Sequence, residues 1–345
     1  MDIAERLDPT TRRVVLAVLR HGPVPRVELA RETGLSSPSL TRLCKPLVTD
    51  GLLVEGDPVA LNETGRPSVP LDVQADRALV LGAKLVPGAM HLVLTDLKGE
   101  VLVSERRDCE LETPEAAVAA LVDAVEGVRH RGRRADAIGV SLAAAVGEDR
   151  VVRSADLLGW PDVALGALVS EATGLSCAVE NDVNAFTVAE HWFGVGRGSR
   201  DFLVVTIGAG VGAGIIARDE LVAGHCGAAG MVGWLVGTDG RRMADVLQTS
   251  AVEARLADEV SGHVAADVAR VVGELVGQLG AVVAPERVLV SGEGADLGED
   301  RVDEVRAGAR AFVPLEASQL SIGAVGFDEW ARGAAAVAIR SALLG

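Results

Sequence analysis

Four polar side chains stand out for their chemistry: Ser39, Thr41, Arg42 and Lys45. Small hydroxyls and cations presented outward from one short helix suit phosphate oxygens and base edges, which is the chemistry of DNA recognition. Arg26 and Ser37 lie just upstream and join the same candidate set. Two further stretches are rich in glycine: Gly208-Ala209-Gly210-Val211-Gly212-Ala213-Gly214 and Ser291-Gly292-Glu293-Gly294. Bare backbone at a strand end can approach a phosphate closely. Tight hairpins need glycine with or without a ligand, so these spacings alone do not single out a nucleotide.

The elements that must hold the first set are legible in residues 26–54, RVELARETGLSSPSLTRLCKPLVTDGLLV. Val27, Leu29 and Ala30 place apolar groups on one helical face, and Gly34 can take the left-handed conformation of a sharp turn. Leu35 is the apolar plug between two helices. Ser37 is expected to cap the second helix, with Pro38 in its first turn. Leu40, Leu43 and Leu47 then face inward, and Val14, Val15, Val18 and Leu19 supply a supporting helix. Pro46 is expected to end or kink the second helix near Lys45. A wing should follow through 52–54, turn at Gly56-Asp57-Pro58 and return through 59–61. This is a winged helix-turn-helix pattern. The alternative is an ordinary three-helix packing unit, and charge chooses between them. From Arg12 to Lys45 there are seven cations against two carboxylates, a net +5 inside a chain of net charge −16. Such a patch is an electrostatic footprint for phosphate.

At 345 residues, with 49% hydrophobic and 24% charged residues, the chain has room for a small domain and a larger body. Apolar runs are interrupted well short of the ~20 residues of a membrane span. The start, MDIAERLDPTTRR, lacks a signal-peptide core. Cys44, Cys109, Cys177 and Cys226 are widely spaced and form no C-x-x-C pair, which fits a reducing cytoplasm. Residues 78–345 hold 38 acidic against 23 basic side chains, so the body is not expected to touch nucleic acid broadly.

Asn62-Glu63-Thr64-Gly65-Arg66-Pro67 reads as a polar linker. Gly-Arg-Pro can also lay an extended backbone in a minor groove with Arg66 reaching inward. From Leu79 the pattern becomes three strands in a meander, then a helix at about 114–130, a buried strand at 137–146, a strand at 177–182 and a helix at 184–192. The meander restarts at 201–224, helices follow at about 243–260 and 264–283, then a strand at 287–294 and a last helix at 328–344. Strand-strand-strand-helix-strand therefore occurs twice. This implies an α/β fold: a winged helix-turn-helix followed by a two-lobed, actin-like body of the ribonuclease H-like, sugar-kinase type. A doubly wound Rossmann domain fits less well, because the opening strands form a meander and not β-α-β units. The expected domains are 1–62 for the DNA reader, 63–77 for a linker, 78–192 plus 326–345 for the first lobe and 193–325 for the second.

A winged helix-turn-helix, then GRP, then a body containing ENDVNAF, GAGVGAG and GAAGMVGWL resembles the ROK family of repressors and sugar kinases. The resemblance covers essentially the whole chain. It implies that Asn181 and Asp182 bind sugar hydroxyls, with Asp182 at the position of the kinases' base. Read without the family, the pair caps the helix that follows. Asp156 stands where the family has a sugar-contacting Asn. Other motifs depart from the pattern. The first phosphate loop, D-x-G-G-T, is replaced by Ala83-Lys84-Leu85-Val86-Pro87-Gly88, and Lys84 is either an anion partner or a surface lysine at a strand end. The family's G-E-x-G-H reads Gly230-Met231-Val232-Gly233-Trp234. Its zinc cluster, C-x-C-G-x-x-G-C, reads Thr238-Asp239-Gly240-Arg241-Arg242-Met243-Ala244-Asp245, and no cysteine follows Cys226. A structural zinc needs about four nitrogen or sulfur ligands. Met231 and Trp234 either fill the pocket, line a site for a more hydrophobic or aromatic ligand, or serve as core.

These residues point to a transcriptional regulator, a repressor, with a catalytically inactive sensor body. Its partners would be operator DNA and a small-molecule effector, and it would work as a cytoplasmic homodimer or homotetramer without membrane contact. Neither zinc nor ATP is expected as a cofactor. The rival readings are an ATP-dependent sugar kinase with Asp182 as base, and an effector-independent DNA-binding dimer.

Overall fold

The computed structural model describes residues 7–58, 68–153, 155–295, 301–312 and 319–344. Helix α1 (Pro9–His21) starts where the Asp8 carboxylate accepts from the amides of Thr10 and Thr11, with Pro9 in the first turn. Its Val14, Val15 and Val18 are buried. Strand β1 (Val24–Pro25) leads into α2 (Arg26–Thr33), which ends at Gly34 with φ +70°, the left-handed cap anticipated from sequence. Helix α3 (Ser37–Thr49) is capped by Ser36, one residue earlier than expected. The Ser36 hydroxyl accepts from the Ser39 amide, and Ser37 and Pro38 form the first turn. Helix α3 does not end at Pro46 but runs through it to Thr49. Leu40, Cys44 and Leu47 are all buried on one face, so packing holds the last turn although Pro46 removes one backbone donor. Two smaller expectations also fail. Val27 is exposed, and Cys44, not the half-buried Leu43, completes the inner face.

The wing differs in its second strand. Strand β2 (Leu53–Glu55) pairs antiparallel with β3 (Pro70–Val73), in register Leu53 to Val73, and β3 also pairs with β1. Part of the expected linker is therefore sheet. The expected return strand at 59–61 and the Gly-Arg-Pro segment lie outside the described residues. Pro70 is the first residue of β3, a strand position that tolerates proline, but one isolated Pro-Leu-Asp-Val run carries too little alternation to identify from sequence.

Two compact units make up the chain: one holds residues 1–142, 150–180 and 334–345, the other 143–149 and 181–333. In the first, β4 (Val80–Val86), β5 (Ala89–Thr95) and β6 (Val101–Asp108) form an antiparallel meander. Helix α4 (Pro114–Gly127) then returns the chain to β7 (Ala137–Leu142), which lies parallel on β4. Two short strands, β8 (Ala145–Val146) and β9 (Val152–Arg153), precede α5 (Leu165–Thr173) and β10 (Cys177–Asn181), giving the sheet order β10-β7-β4-β5-β6. Helix α6 (Asp182–Phe193) opens the second unit's main run. There β11 (Phe202–Ile207), β12 (Val211–Ala217) and β13 (Glu220–Leu221) repeat the meander. After α7 (Met243–Leu247), α8 (Thr249–Asp258) and α9 (Ser261–Val283), strand β14 (Arg287–Ser291) lies parallel on β11. Helix α10 (Val302–Arg310), β15 (Leu320–Ile322) and α11 (Phe327–Leu344) complete the order β13-β12-β11-β14-β15. The same connectivity thus occurs twice, as the repeated strand pattern implied.

Strand β11 shows why its segment reads as a continuous apolar run. Leu203, Val205 and Ile207 join a cluster with Val268, Val272 and Leu275 of α9. Phe202 and Val204 point the other way, into a cluster with Phe186 and Trp330. A strand covered on both faces has no polar side to show. Among the described residues no helix is long and apolar enough to cross a membrane.

Candidate DNA-binding and effector sites

Helix α3 exposes Ser37, Thr41, Arg42 and Lys45, while Ser39 is half-buried. Two hydroxyls are committed locally: Thr41 donates to the Ser37 carbonyl at 2.9 Å, and Ser39 lies 3.0 Å from the Ser36 hydroxyl. Arg42 and Lys45 make no ion pair among the described residues, so both cations are available to phosphate. Arg26 is placed differently from the expectation of an open contact. Its Nη2 donates to Glu55 Oε1 at 2.5 Å and its Nη1 to the Val69 carbonyl at 3.2 Å, so it ties α2 to the wing. Arg66 lies outside the described residues.

Asn181 and Asp182 sit where β10 passes into α6. Asn181 Oδ1 accepts from the Asn184 amide at 3.1 Å and its Nδ2 donates to the Ala144 carbonyl at 3.1 Å. The residue is thus the cap of α6, the bland alternative from sequence. Asp182 begins the helix, two residues earlier than expected, where a carboxylate is favoured by the helix dipole. Asp156 is exposed at the start of a single 3₁₀ turn, Asp156–Leu158. Met231 and Trp234 are 59% and 71% exposed, so the reading of either as core filling is overturned. The Arg242 guanidinium stands 4.9 Å from the centre of the Trp234 ring, a cation–π contact. Lys84 is no surface lysine. It lies inside β4 at 5% exposure, opposite His91 on one side and Ser141 on the other.

The two glycine-rich turns pack on each other. A Cβ built on Gly208 would meet Glu293 Oε2 at 2.2 Å, and the Gly294 amide donates to the Ile207 carbonyl at 2.8 Å. A carboxylate therefore occupies the space over Gly208. An anionic side chain in that position opposes a phosphate on that side of the turn electrostatically.

The segment aligned with the zinc cluster is built from arginine and carboxylate. Asp239 accepts from Arg241 at 2.7 Å and from Arg270 at 2.8 Å. Asp267 accepts from Arg241, Arg270 and Arg255 at 2.8–2.9 Å. Donation from Arg241 holds the Asp239 carboxyl far below the usual carboxylate range. Burial pushes the Asp267 carboxyl up, but donation from Arg241, Arg270 and Arg255 outweighs it and the net displacement is downward. Carboxylates saturated by guanidinium groups, with no thiolate beside them, do not fit a structural zinc. Sequence patterning can find the i,i+3 and i,i+4 pairs Asp267–Arg270 and Arg270–Glu274, but not Arg241–Asp267, which are 26 positions apart.

Depressed carboxylates make a pH prediction. The ordinary value is 3.8, and both groups titrate lower in the folded chain. Their stabilisation is complete above the unfolded value and fades as pH falls from there through the folded values. Thermal melts on descending from pH 5 to pH 3 should fall more steeply for the wild type than for a chain carrying Asp239→Asn and Asp267→Asn. Parallel slopes would contradict the assignment.

Comparison with known proteins agrees with this construction. Residues 88–244 match the model of the ROK family and residues 7–54 that of winged helix-turn-helix DNA-binding domains. The chain is 27% identical over 217 residues to the DNA-binding transcriptional repressor Mlc of Escherichia coli strain K12, covering 61% of this chain and 53% of that one. It is 36% identical over 153 residues to a glucokinase of Streptomyces coelicolor, covering 44% and 46%. It spans about half the length of these curated relatives. Among solved structures, a ROK family transcriptional regulator described as a homologue of the E. coli Mlc protein superposes with a TM-score of 0.77 at 22% identity, over 97% of this chain and 96% of that one. That likeness bears out the winged helix and the duplicated sugar-kinase-type body. The chain thus carries a ROK family domain at residues 88–244, with a winged helix-turn-helix DNA-binding domain at residues 7–54 ahead of it.

Proposed function

We propose that this chain is a DNA-binding transcriptional repressor of the cytoplasm, acting as a homodimer or homotetramer, whose ROK body senses a ligand and does not phosphorylate it. The observation that carries the reading is α3 itself: a recognition helix with Arg42 and Lys45 exposed and unpaired among the described residues. Two copies would set two such helices on a pseudo-palindromic operator, one or a few helical turns apart. The body works in this reading without ATP or zinc. Support comes from Glu293 over Gly208 and from the arginine–carboxylate network where cysteines would stand. Trp234, Met231, Asn181 and Asp182 of the second unit, and Asp156 of the first, are the candidate effector residues, and the exposed indole and thioether favour a ligand with apolar or aromatic surface over a bare hexose.

Selection from genomic fragments on the immobilised full chain tests the reading. A specific fragment should be enriched, and failure to retain any DNA at low salt would sink it. A thermal-shift screen tests the sensor, because a ligand that binds only the folded state raises its apparent stability. No response across the screen would favour an effector-independent dimer. Similarity to the Streptomyces glucokinase, together with Asp182, supports a second reading as a sugar kinase. That reading requires ATP consumption with some sugar and its loss in Asp182→Ala.

A further inference from the structure

Segment 235–243 is a short hairpin. The Met243 amide donates to the Leu235 carbonyl and the Gly237 amide to the Arg241 carbonyl, each at 2.8 Å, and Val236 bridges Arg242. Its tip, residues 238–241, is fastened to α9 at three carboxylates. Glu274 is the anchor. It is only 3% exposed and accepts from the Thr238 amide, from the Thr238 hydroxyl at 3.1 Å, from Arg270 at 3.2 Å and from Gln278 at 3.2 Å. A buried carboxylate is expensive to leave unpaired, so lifting the tip away would cost what those donors supply. Asp239 and Asp267 close the connection: Arg270 bonds Asp239, Asp267 and Glu274, while Arg241 bonds Asp239 and Asp267. The far end of the hairpin carries Arg242, whose guanidinium lies over Trp234.

We infer that this clasp of Asp239, Arg241, Asp267, Arg270 and Glu274 takes over the structural task of the family's zinc cluster, holding the 235–243 hairpin to α9 and thereby positioning Trp234 as a ligand-facing indole. Cross-linking by guanidinium forks is directional and multidentate, as metal coordination is, but it needs no thiolate. It differs in what disrupts it. A metal-held loop fails with a chelator; this one fails with neutralisation of its carboxylates or with high salt, since much of the network is partly exposed. Asp239 and Asp267 are thus positioning residues that act through Arg242 and Trp234.

The inference rests on the reading that the body takes no zinc, and the test separates the two. The full chain has four tryptophans, and Trp160, Trp192 and Trp330 are at most 5% exposed, so acrylamide quenching reports mainly on Trp234. The purified protein should carry sub-stoichiometric zinc by elemental analysis, and its Tm should not move with EDTA. Asp267→Asn should lower Tm by a few degrees, redden the exposed tryptophan emission and raise its quenching, with Asp267→Glu restoring all three. Arg242→Ala should raise quenching without the loss of Tm. If Asp267→Asn fails to fold, 1 M NaCl on the wild type should produce the same rise in quenching. Stoichiometric zinc or an EDTA-induced fall in Tm would overturn the metal-free reading. Unchanged quenching in Asp267→Asn and in high salt, in a zinc-free protein, would overturn the clasp alone.

Discussion

Replacing Arg42 and Lys45 together by alanine lowers affinity for the selected operator by about 10²-fold or more and flattens the dependence on salt. The reasoning runs from α3 outward. Both side chains are exposed on the helix and have no ion pair among the described residues, so no described carboxylate competes for them. An arginine that reads a base contributes about 1–3 kcal/mol, and each phosphate contact contributes about 1 to the slope of log K against log salt. Buried Leu40, Cys44 and Leu47 lie on the opposite face and are untouched, so the variant keeps its fold. Anisotropy titrations over a salt series read both quantities. Unchanged affinity and slope would remove α3 from the interface. Arg26→Ala provides the contrast. Its guanidinium already belongs to Glu55 and Val69, so its loss should act through the wing and leave the salt slope nearer the wild-type value.

Gly139→Ala destabilises the first unit at or above the upper end of the usual range for overpacking. Gly139 lies in β7, and a Cβ there would stand 1.8 Å from the Ala334 carbonyl oxygen and 2.6 Å from its carbon. The obstacle is the backbone of α11, which cannot rotate aside as a side chain can. Either the strand or the helix must shift. Inserting one methyl group into a packed interior costs typically about 1–3 kcal/mol, and a backbone clash belongs at the high end. For a chain of this size the expectation is a fall in Tm of several degrees, with roughly 2–4 °C per kcal/mol. Calorimetry of Gly139→Ala checks it, with Gly132→Ala as a comparison: that glycine has φ +78° but open space around it, so its cost is backbone strain alone. Equal Tm values for Gly139→Ala and the wild type would show that α11 does not press on β7 as described.

Much of the reader was visible in its residues. Gly34 has the left-handed cap expected of it, and Val14, Val15 and Val18 form the inner face of a helix. Local spacing erred by one residue at the cap, where Ser36 does what Ser37 was expected to do, because two adjacent serines offer the same side chain. Pro46 does not end its helix, for a different reason. A proline rule weighs one lost hydrogen bond, whereas Leu40, Cys44 and Leu47 bury a continuous face that outweighs it. In the body, the repeated meander was legible because strands buried on two faces read as uninterrupted apolar runs. The site residues were less so. Lys84 read either as an anion partner or as a surface lysine, because a lone lysine in an apolar run carries no mark of its neighbours; it is buried, which rules out the second. Met231 and Trp234 read equally well as core, and they are exposed.

The division follows the range of the interactions. Helix period, cap chemistry, turn glycines and the charge contrast between an N-terminal cationic patch and an acidic body depend on residues within a turn or two, so the sequence alone determined a winged helix and a duplicated α/β body. Tertiary structure decided the rest: that β3 belongs to the reader's sheet, that Glu293 occupies the space over Gly208, that Arg241 meets Asp267, and that Gly139 leaves room for the α11 backbone. Each of these joins groups far apart along the chain. Periodicity says which face of an element is buried, but the partner on the other side is chosen only when the elements pack.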